Sequence, residues 1–204
     1  PKRCLELCDL WEQEDLVGLV HWGCLGHIST VSYELLQRMR DTGCTYISYG
    51  GESADQRMLN SINKKQTPQQ MQAAVDATIK AQINPIMTFM CGYPDEDIDS
   101  ILASVKFWRD NQTLIEPFFI TPYPGTELFE KNREKILKQY NGNLEAFVKA
   151  CDDATHLIAN LTSNFNDVEL LGLRQLAIGH DIERIKKFAE MKGLPYGEGT
   201  SEAK

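Results

Sequence analysis

Two short apolar runs, each passing directly into glycine and polar residues, set the limits on what this chain can fold into. CTYISY (44–49) runs into Gly50-Gly51-Glu52-Ser53, and NPIMTFMC (84–91) runs into Gly92-Tyr93-Pro94-Asp95. The second is mostly apolar on both faces, as strands of parallel sheets are. Between the two runs, 54–62 has the pattern of a short helix. Thr67-Pro68 then pairs an N-cap residue with the residue favoured at the first helical position, predicting a longer helix to about Ala81. Strand, helix, strand in this order calls for parallel pairing through a right-handed crossover. Sheets of that kind bind ligands beyond the carboxyl ends of their strands. The two polar turns are therefore the candidate site rim.

The same alternation extends in both directions. Cys4, Leu5, Cys8 and Trp11 are spaced for a helix over 3–14, and Leu16–Trp22 reads as a buried strand followed by the loop GCLGHIST. Ser32 opens a helix that Gly43 stops. After Pro94, the positions Ile98, Ile101, Leu102, Val105 and Trp108 predict a helix over 97–110. LIEPFFIT (114–121) is the fourth strand, ending in Pro122-Tyr123-Pro124-Gly125-Thr126 before a helix that starts at Glu127. From about Asn141 the pattern is helical only, with helices over 144–156 and 168–191, Asp167 as the N-cap of the second, and a polar tail at 193–204 expected to be disordered. The expected organisation is a barrel part over 1–140, a helical extension over 141–192 and the tail. The fold class is α/β.

Composition excludes several classes of function. A net charge of −8 on 204 residues argues against a nucleic-acid groove, which needs clustered Lys and Arg. No apolar run approaches the ~20 residues of a membrane span, and Glu6, Asp9, Glu12, Glu14 and Asp15 interrupt any signal-peptide pattern. The six cysteines are scattered, mostly in apolar segments, as expected of buried thiols in a reducing cytoplasm. The chain begins Pro-Lys-Arg-Cys directly in a helical pattern with no initiator Met, which is expected of a fragment. No glycine-rich phosphate loop opens any helix, which disfavours a phosphate-binding barrel.

With these residues in place, TGCTYISYGGES, LNSINKKQT, FMCGYPDED and ITPYPGTELF together resemble the carboxyl-terminal half of a radical S-adenosylmethionine (radical SAM) enzyme. The most similar group is the cobalamin-binding type that includes anaerobic magnesium-protoporphyrin ester cyclases. The resemblance covers roughly 15–130. It rests on a Trp-containing strand, a G-x-E-S turn, a basic residue a dozen positions on, a G-x-P-x-E turn and P-Y-P-G-T, all in order. It implies a partial (βα) TIM-like barrel of which this chain carries the C-terminal four of six units, followed by a helical tail. It also implies S-adenosylmethionine as cofactor, a [4Fe-4S] cluster and cobalamin in the full-length parent, and a small-molecule substrate. The reaction implied is reductive cleavage of S-adenosylmethionine, leading to radical chemistry or to methyl transfer through cobalamin. A non-catalytic binding or scaffolding remnant of the barrel is the alternative.

The resemblance also assigns residues. Glu52 would bond the ribose hydroxyls of S-adenosylmethionine with Ser53 nearby, and Lys64 or its neighbour Lys65 would meet the methionyl carboxylate. Thr88, Gly92 and Pro94 would lie by the ribose and adenine, and Tyr123 would flank the adenine or close the barrel edge. Read from the residues alone, Glu52 equally suits a helix N-terminus, Thr88 the core and Glu96 the first turn of a helix. The family's C-x-x-x-C-x-x-C loop is absent: Cys4 and Cys8 match its first spacing, but position 11 is Trp. Two thiolates do not hold such a cluster, so the cluster ligands are expected in an N-terminal part of the same protein. His21, Cys24 and His27 have metal-like spacing but lack a fourth ligand. Asn111-Gln112-Thr113 and Asn160-Leu161-Thr162 match glycosylation sequons in a chain with no sign of secretion.

Overall fold

A computed structural model describes residues 1–111, 117–151 and 153–197. The helices are α1 (Lys2–Gln13), α2 (Tyr33–Asp41), α3 (Gln56–Ser61), α4 (Pro68–Lys80), α5 (Ile98–Asn111), α6 (Glu127–Gln139), α7 (Leu144–Ala150), α8 (Asp167–Ile178) and α9 (Ile182–Lys192). The strands are β1 (Trp22–Gly26), β2 (Cys44–Glu52), β3 (Asn84–Cys91) and β4 (Phe118–Phe119), in the order β1-β2-β3-β4. The chain divides into two compact units, Pro1–Thr88 with Asp110–Ile115 and Phe89–Arg109 with Glu116–Lys204.

In the first unit β1 pairs with β2 in parallel, Cys24 opposite Ile47 and Gly26 opposite Tyr49. Ile47, Tyr49 and Gly51 on one face of β2 are buried, while Ser48, Gly50 and Glu52 on the other are half-buried. The buried face meets α2, which also packs on α4. Leu36 of α2, Met71 and Val75 of α4 and Met87 of β3 are wholly buried. Tyr49 is drawn in so far that its hydroxyl bonds Thr78 Oγ1 at 2.8 Å, and burial pushes its ionisation up to about 12. The expected caps are present. Ser32 accepts the amide of Leu35, and Thr67 forms a reciprocal capping box with Gln70 that satisfies two otherwise orphaned donors.

In the second unit the last residues of β3 pair in parallel with β4, Met90 with Phe118 and Cys91 with Phe119. Ile98, Ile101, Val105 and Trp108 form the buried stripe of α5, with the Trp108 ring 4.9 Å from that of Phe89. A further core joins Phe129, Ile136, Phe147, Ala159 and Leu161, and Lys135 stitches the 160s segment to α6 through the carbonyls of Leu161 and Thr162.

Four expectations about the elements are corrected. The first strand is not Leu16–Trp22. Gly18 at φ +81° and bonds from the amides of Leu19 and Val20 to the carbonyl of Leu16 coil that apolar run into a turn. The strand begins at Trp22 and uses GCLG, taken from the sequence as loop. The fourth strand is two residues long, and Leu114–Glu116 of the expected strand lie outside the described residues. The helix expected over 144–156 stops at Ala150. The long helix over 168–191 is two helices: Asn166, not Asp167, caps α8, and Asp181 caps α9 after His180 at φ +52° breaks the run. Of the expected disordered tail, 198–204 lie outside the described residues.

Candidate functional site

β2 carries its strand geometry through both glycines to Glu52, whose φ of +64° turns the chain sharply out of the sheet. A non-glycine residue in that region is uncommon and costs energy. Several bonds hold it there. Gln66 is buried and donates from Nε2 to the carbonyls of Gly50, at 3.2 Å, and Gly51, at 2.9 Å. Ser53 donates its amide to the carbonyl of Gly51, and its hydroxyl accepts the amide of Asp55. Asp55 in turn caps α3 by accepting from Arg57 and Met58. The carboxylate suited to a helix N-terminus is thus Asp55, and Glu52 is left for other work.

Glu52 uses its side chain on Lys64. Nζ lies 2.8 Å from Oε1, with both side chains about three-quarters buried. Gly50 makes this possible: a Cβ there would stand 2.8 Å from Glu52 Oε1 and 3.2 Å from Lys64 Nζ. The pair folds back over bare backbone at the end of the strand. Of the two candidate lysines, Lys64 pairs with Glu52 and Lys65 is exposed. Thr88 on β3 is half-buried, and its hydroxyl donates to the carbonyl of Tyr49 at 3.1 Å. The structure therefore brings Glu52 and Lys64 together, and gives Ser53 and Thr88 backbone partners within the first unit. Gln66 was missed from the sequence, because one amide in a polar linker carries no distinguishing pattern.

In the second unit Gly92 adopts φ +95° directly after β3, and the chain turns there. Glu96 does not serve the first turn of α5 as expected. It is buried, and Oε2 accepts the amide of Gly92 across the turn. Burial weakens its acidity, pushing its pKa up to about 8. Pro94 offers its carbonyl to the amide of Ser163, and Asn164 Nδ2 donates to the carbonyl of Glu96 at 2.8 Å. Tyr123 is half exposed, and its carbonyl accepts from the amide and hydroxyl of Thr126, the N-cap of α6.

Thiols scattered in the sequence are neighbours in the first unit. The Trp11 ring of α1 lies tilted 5.9 Å from that of Trp22, Cys8 one turn back accepts from Thr42 Oγ1 at 3.5 Å, and Cys4 a further turn back lies close enough to Cys8 and Cys24 to feel their charge. A hydrogen bond from Cys44 brings the Cys24 thiol down to about 7, whereas burial and Cys8 push Cys4 up to about 11. Among the described residues no three His, Cys, Asp or Glu side chains are placed to hold a metal ion. His27 caps the turn Ile28–Thr30 through Nδ1. Neither sequon has a freely presented Asn. Asn160 is buried and bonded to Phe165 and Asp167; Asn111 bonds Gln72, while Gln112 and Thr113 lie outside the described residues.

Comparison with known proteins bears on this geometry. Residues 18–107 match the Radical SAM superfamily model, and that span contains Glu52, Ser53, Lys64, Thr88, Gly92 and Pro94. Over this stretch the chain is similar to the radical SAM superfamily. An uncharacterised methyltransferase of Pyrococcus horikoshii is 33% identical over 130 residues, which are 63% of this chain and 28% of that protein. An anaerobic magnesium-protoporphyrin IX monomethyl ester cyclase of Rubrivivax gelatinosus is 25% identical over 171 residues, 80% of this chain and 30% of that protein. The chain thus spans less than a third of the length of these relatives. The structure of the radical S-adenosylmethionine methyltransferase TsrM from Kitasatospora setae, with cobalamin and a [4Fe-4S] cluster bound, aligns with a TM-score of 0.54 at 13% identity, over 65% of this chain and 28% of that one. That likeness shows the fold, and the α/β partial barrel expected of a radical SAM chain is the architecture found. Among the described residues no helix is long and apolar enough to cross a membrane.

Proposed function

We propose that this chain holds S-adenosylmethionine in a radical SAM enzyme of the cobalamin-binding type, a methyltransferase or cyclase acting on a small molecule in the cytoplasm. The observation that carries the reading is the Glu52–Lys64 pair closed over Gly50 at the carboxyl end of β2. A carboxylate accepts at both oxygens and an ammonium donates three bonds, so the pair has capacity beyond its one mutual bond. Lys64 suits the methionyl carboxylate, Glu52 suits the ribose hydroxyls, and bare backbone at Gly50 admits close approach. Their mutual bond keeps both charges compensated until a ligand with a carboxylate and a diol shares them.

Ser53 and Thr88 serve by shaping the turn and strand through their backbone bonds. Gly92, Pro94 and Tyr123 are proposed for the adenine on the strength of the resemblance. The bound cofactors supply the bond-breaking chemistry, and the protein's share is binding, orientation and exclusion of water. The relatives are more than three times as long as the matching part, which supports placing the cluster ligands and a cobalamin domain elsewhere in a longer protein. On this reading 1–140 is the barrel part, 141–192 a helical extension and 193–204 a tail.

The test is calorimetric titration of the full-length protein with S-adenosylmethionine. Glu52→Ala is expected to weaken binding by about tenfold or more, the loss of roughly 1.4 kcal/mol. Unchanged affinity would remove Glu52 from the site.

A further inference from the structure

The Gly92–Pro94 turn is held by a carboxyl group that water scarcely reaches. Glu96 is 5% exposed, and its Oε2 takes the amide of a glycine whose φ of +95° few other residues adopt. The carboxyl borders a cavity of about 20 Å³ whose walls include Phe89, Ile101, Val105, Trp108, Leu170 and Leu173. A cavity of that size has room for one water molecule, which needs polar partners to stay. A neutral acid would provide one, its O–H donating to such a water while its other oxygen accepts the Gly92 amide.

The charged form fits this place poorly. One amide bond does not offset the desolvation of a full negative charge among apolar walls. The ionisable neighbours on each bordering element give little relief. Cys91 at the end of β3 is itself buried, and Asp97 beside α5 adds repulsion. Arg174 of α8 lines the same cavity; its Nε donates to the carbonyl of Pro117 at 2.7 Å, its guanidinium lies over the Phe119 ring, and its charge eases the ionisation of Cys91 rather than of Glu96. Asp95 on the turn is exposed and faces solvent.

We propose that Glu96 is the positioning residue of the Gly92–Pro94 turn and holds it closed only while its carboxyl keeps its proton. Loss of the proton sends the carboxylate toward water and frees the Gly92 amide. The turn that is proposed for the cofactor's adenine is then under proton control, an inference that rests on that reading for its functional meaning.

Amide hydrogen exchange of the 204-residue chain, corrected for intrinsic exchange, tests the latch without any ligand. Protection at Gly92 is expected to fall at least tenfold between about pH 6 and about pH 9, because the protonated fraction drops roughly a decade per pH unit above the midpoint. Amides of α4 serve as the control and keep their protection. Glu96→Gln, a neutral acceptor of the same shape, is expected to protect Gly92 equally at both pH values, and Glu96→Ala at neither. Wild-type protection that does not change with pH overturns the proposal even if no variant folds. So does Glu96→Gln behaving like Glu96→Ala. Titration of the full-length protein with S-adenosylmethionine then separates the two ideas. If Gly92 protection follows pH and the glutamine variant abolishes the effect, but affinity ignores both, the latch stands and the adenine assignment of Gly92 fails.

Discussion

Lys64 reaches back across twelve residues to Glu52, Nζ to Oε1 at 2.8 Å, and the contact passes over a glycine that has no side chain to obstruct it. Three positions on two segments thus depend on one another. A change at any one is felt at the other two.

Gly50→Ala tests that dependence directly. The added methyl group would stand 2.8 Å from Glu52 Oε1 and 3.2 Å from Lys64 Nζ, so the flexible ends of the pair have to shift although neither charged residue has been altered. S-adenosylmethionine affinity of the full-length protein is expected to fall about tenfold, close to the effect of Glu52→Ala, with little further loss in the double variant. Full additivity of the two effects in a double-mutant cycle would show that Gly50 and Glu52 act separately.

Glu96 makes stability depend on pH. Burial pushes its pKa up to about 8 in the folded chain against 4.5 for an ordinary glutamate, so between those values the unfolded chain has released a proton that the folded chain retains. Its contribution is therefore complete below about pH 4.5 and declines by up to about 1.4 kcal/mol per pH unit as pH rises toward 8. Urea unfolding midpoints of wild type and Glu96→Gln, compared across this window, should diverge in favour of the glutamine variant at the alkaline end.

The Cys24 thiol is expected to be the most readily alkylated of the first unit's cysteines near neutral pH. The neighbouring Cys44 lowers its pKa below the ordinary thiol value, and it is partly open to solvent, whereas Cys4 is pushed up to about 11. Mass-spectrometric mapping after brief iodoacetamide treatment at pH 7 should find Cys24 labelled well ahead of Cys4 and the buried Cys8. Cys44→Ala should slow that labelling.

Thr67→Ala removes half of the capping box that starts α4. The expected cost is about 1 kcal/mol, which for a chain of this size lowers the melting temperature by roughly 3 °C. Affinity for S-adenosylmethionine should stay as it was, since the cap bonds only the first turn of its own helix.

Among the described residues β1 has a neighbour on one side only, and on it Leu25 is 87% exposed. Such an edge invites strand pairing between chains. Light scattering of the 204-residue chain is expected to show self-association that rises with concentration and that Leu25→Lys suppresses.

Local signals made much of this fold legible. Ser32, Thr67 with Pro68, and the apolar run 84–91 each acted where the sequence put them, because caps and buried strands are decided within a few residues. Leu16–Trp22 misled for the opposite reason: its apolar content suits a strand, but a left-handed glycine and two bonds to one carbonyl make it a turn. Glu52 and Lys64 were legible as candidates through the family pattern, while their contact was not, since it needs the loop after α3 to fold back. The inward path of Glu96 was equally hidden. Pro, Asp and Glu in succession look like a helix start, and only the buried Gly92 amide gives the carboxyl a reason to turn away.

Gln66 binds the carbonyls of both glycines at the end of β2, and Lys64 sits only two residues before it. The spacing between amide and ammonium is therefore a ruler: one end is pinned to the strand's backbone, and the other sets how far the positive charge reaches over it. A residue inserted between them would leave every side chain in place chemically and still move the charge off its mark. Length, as much as composition, is what this linker has to keep.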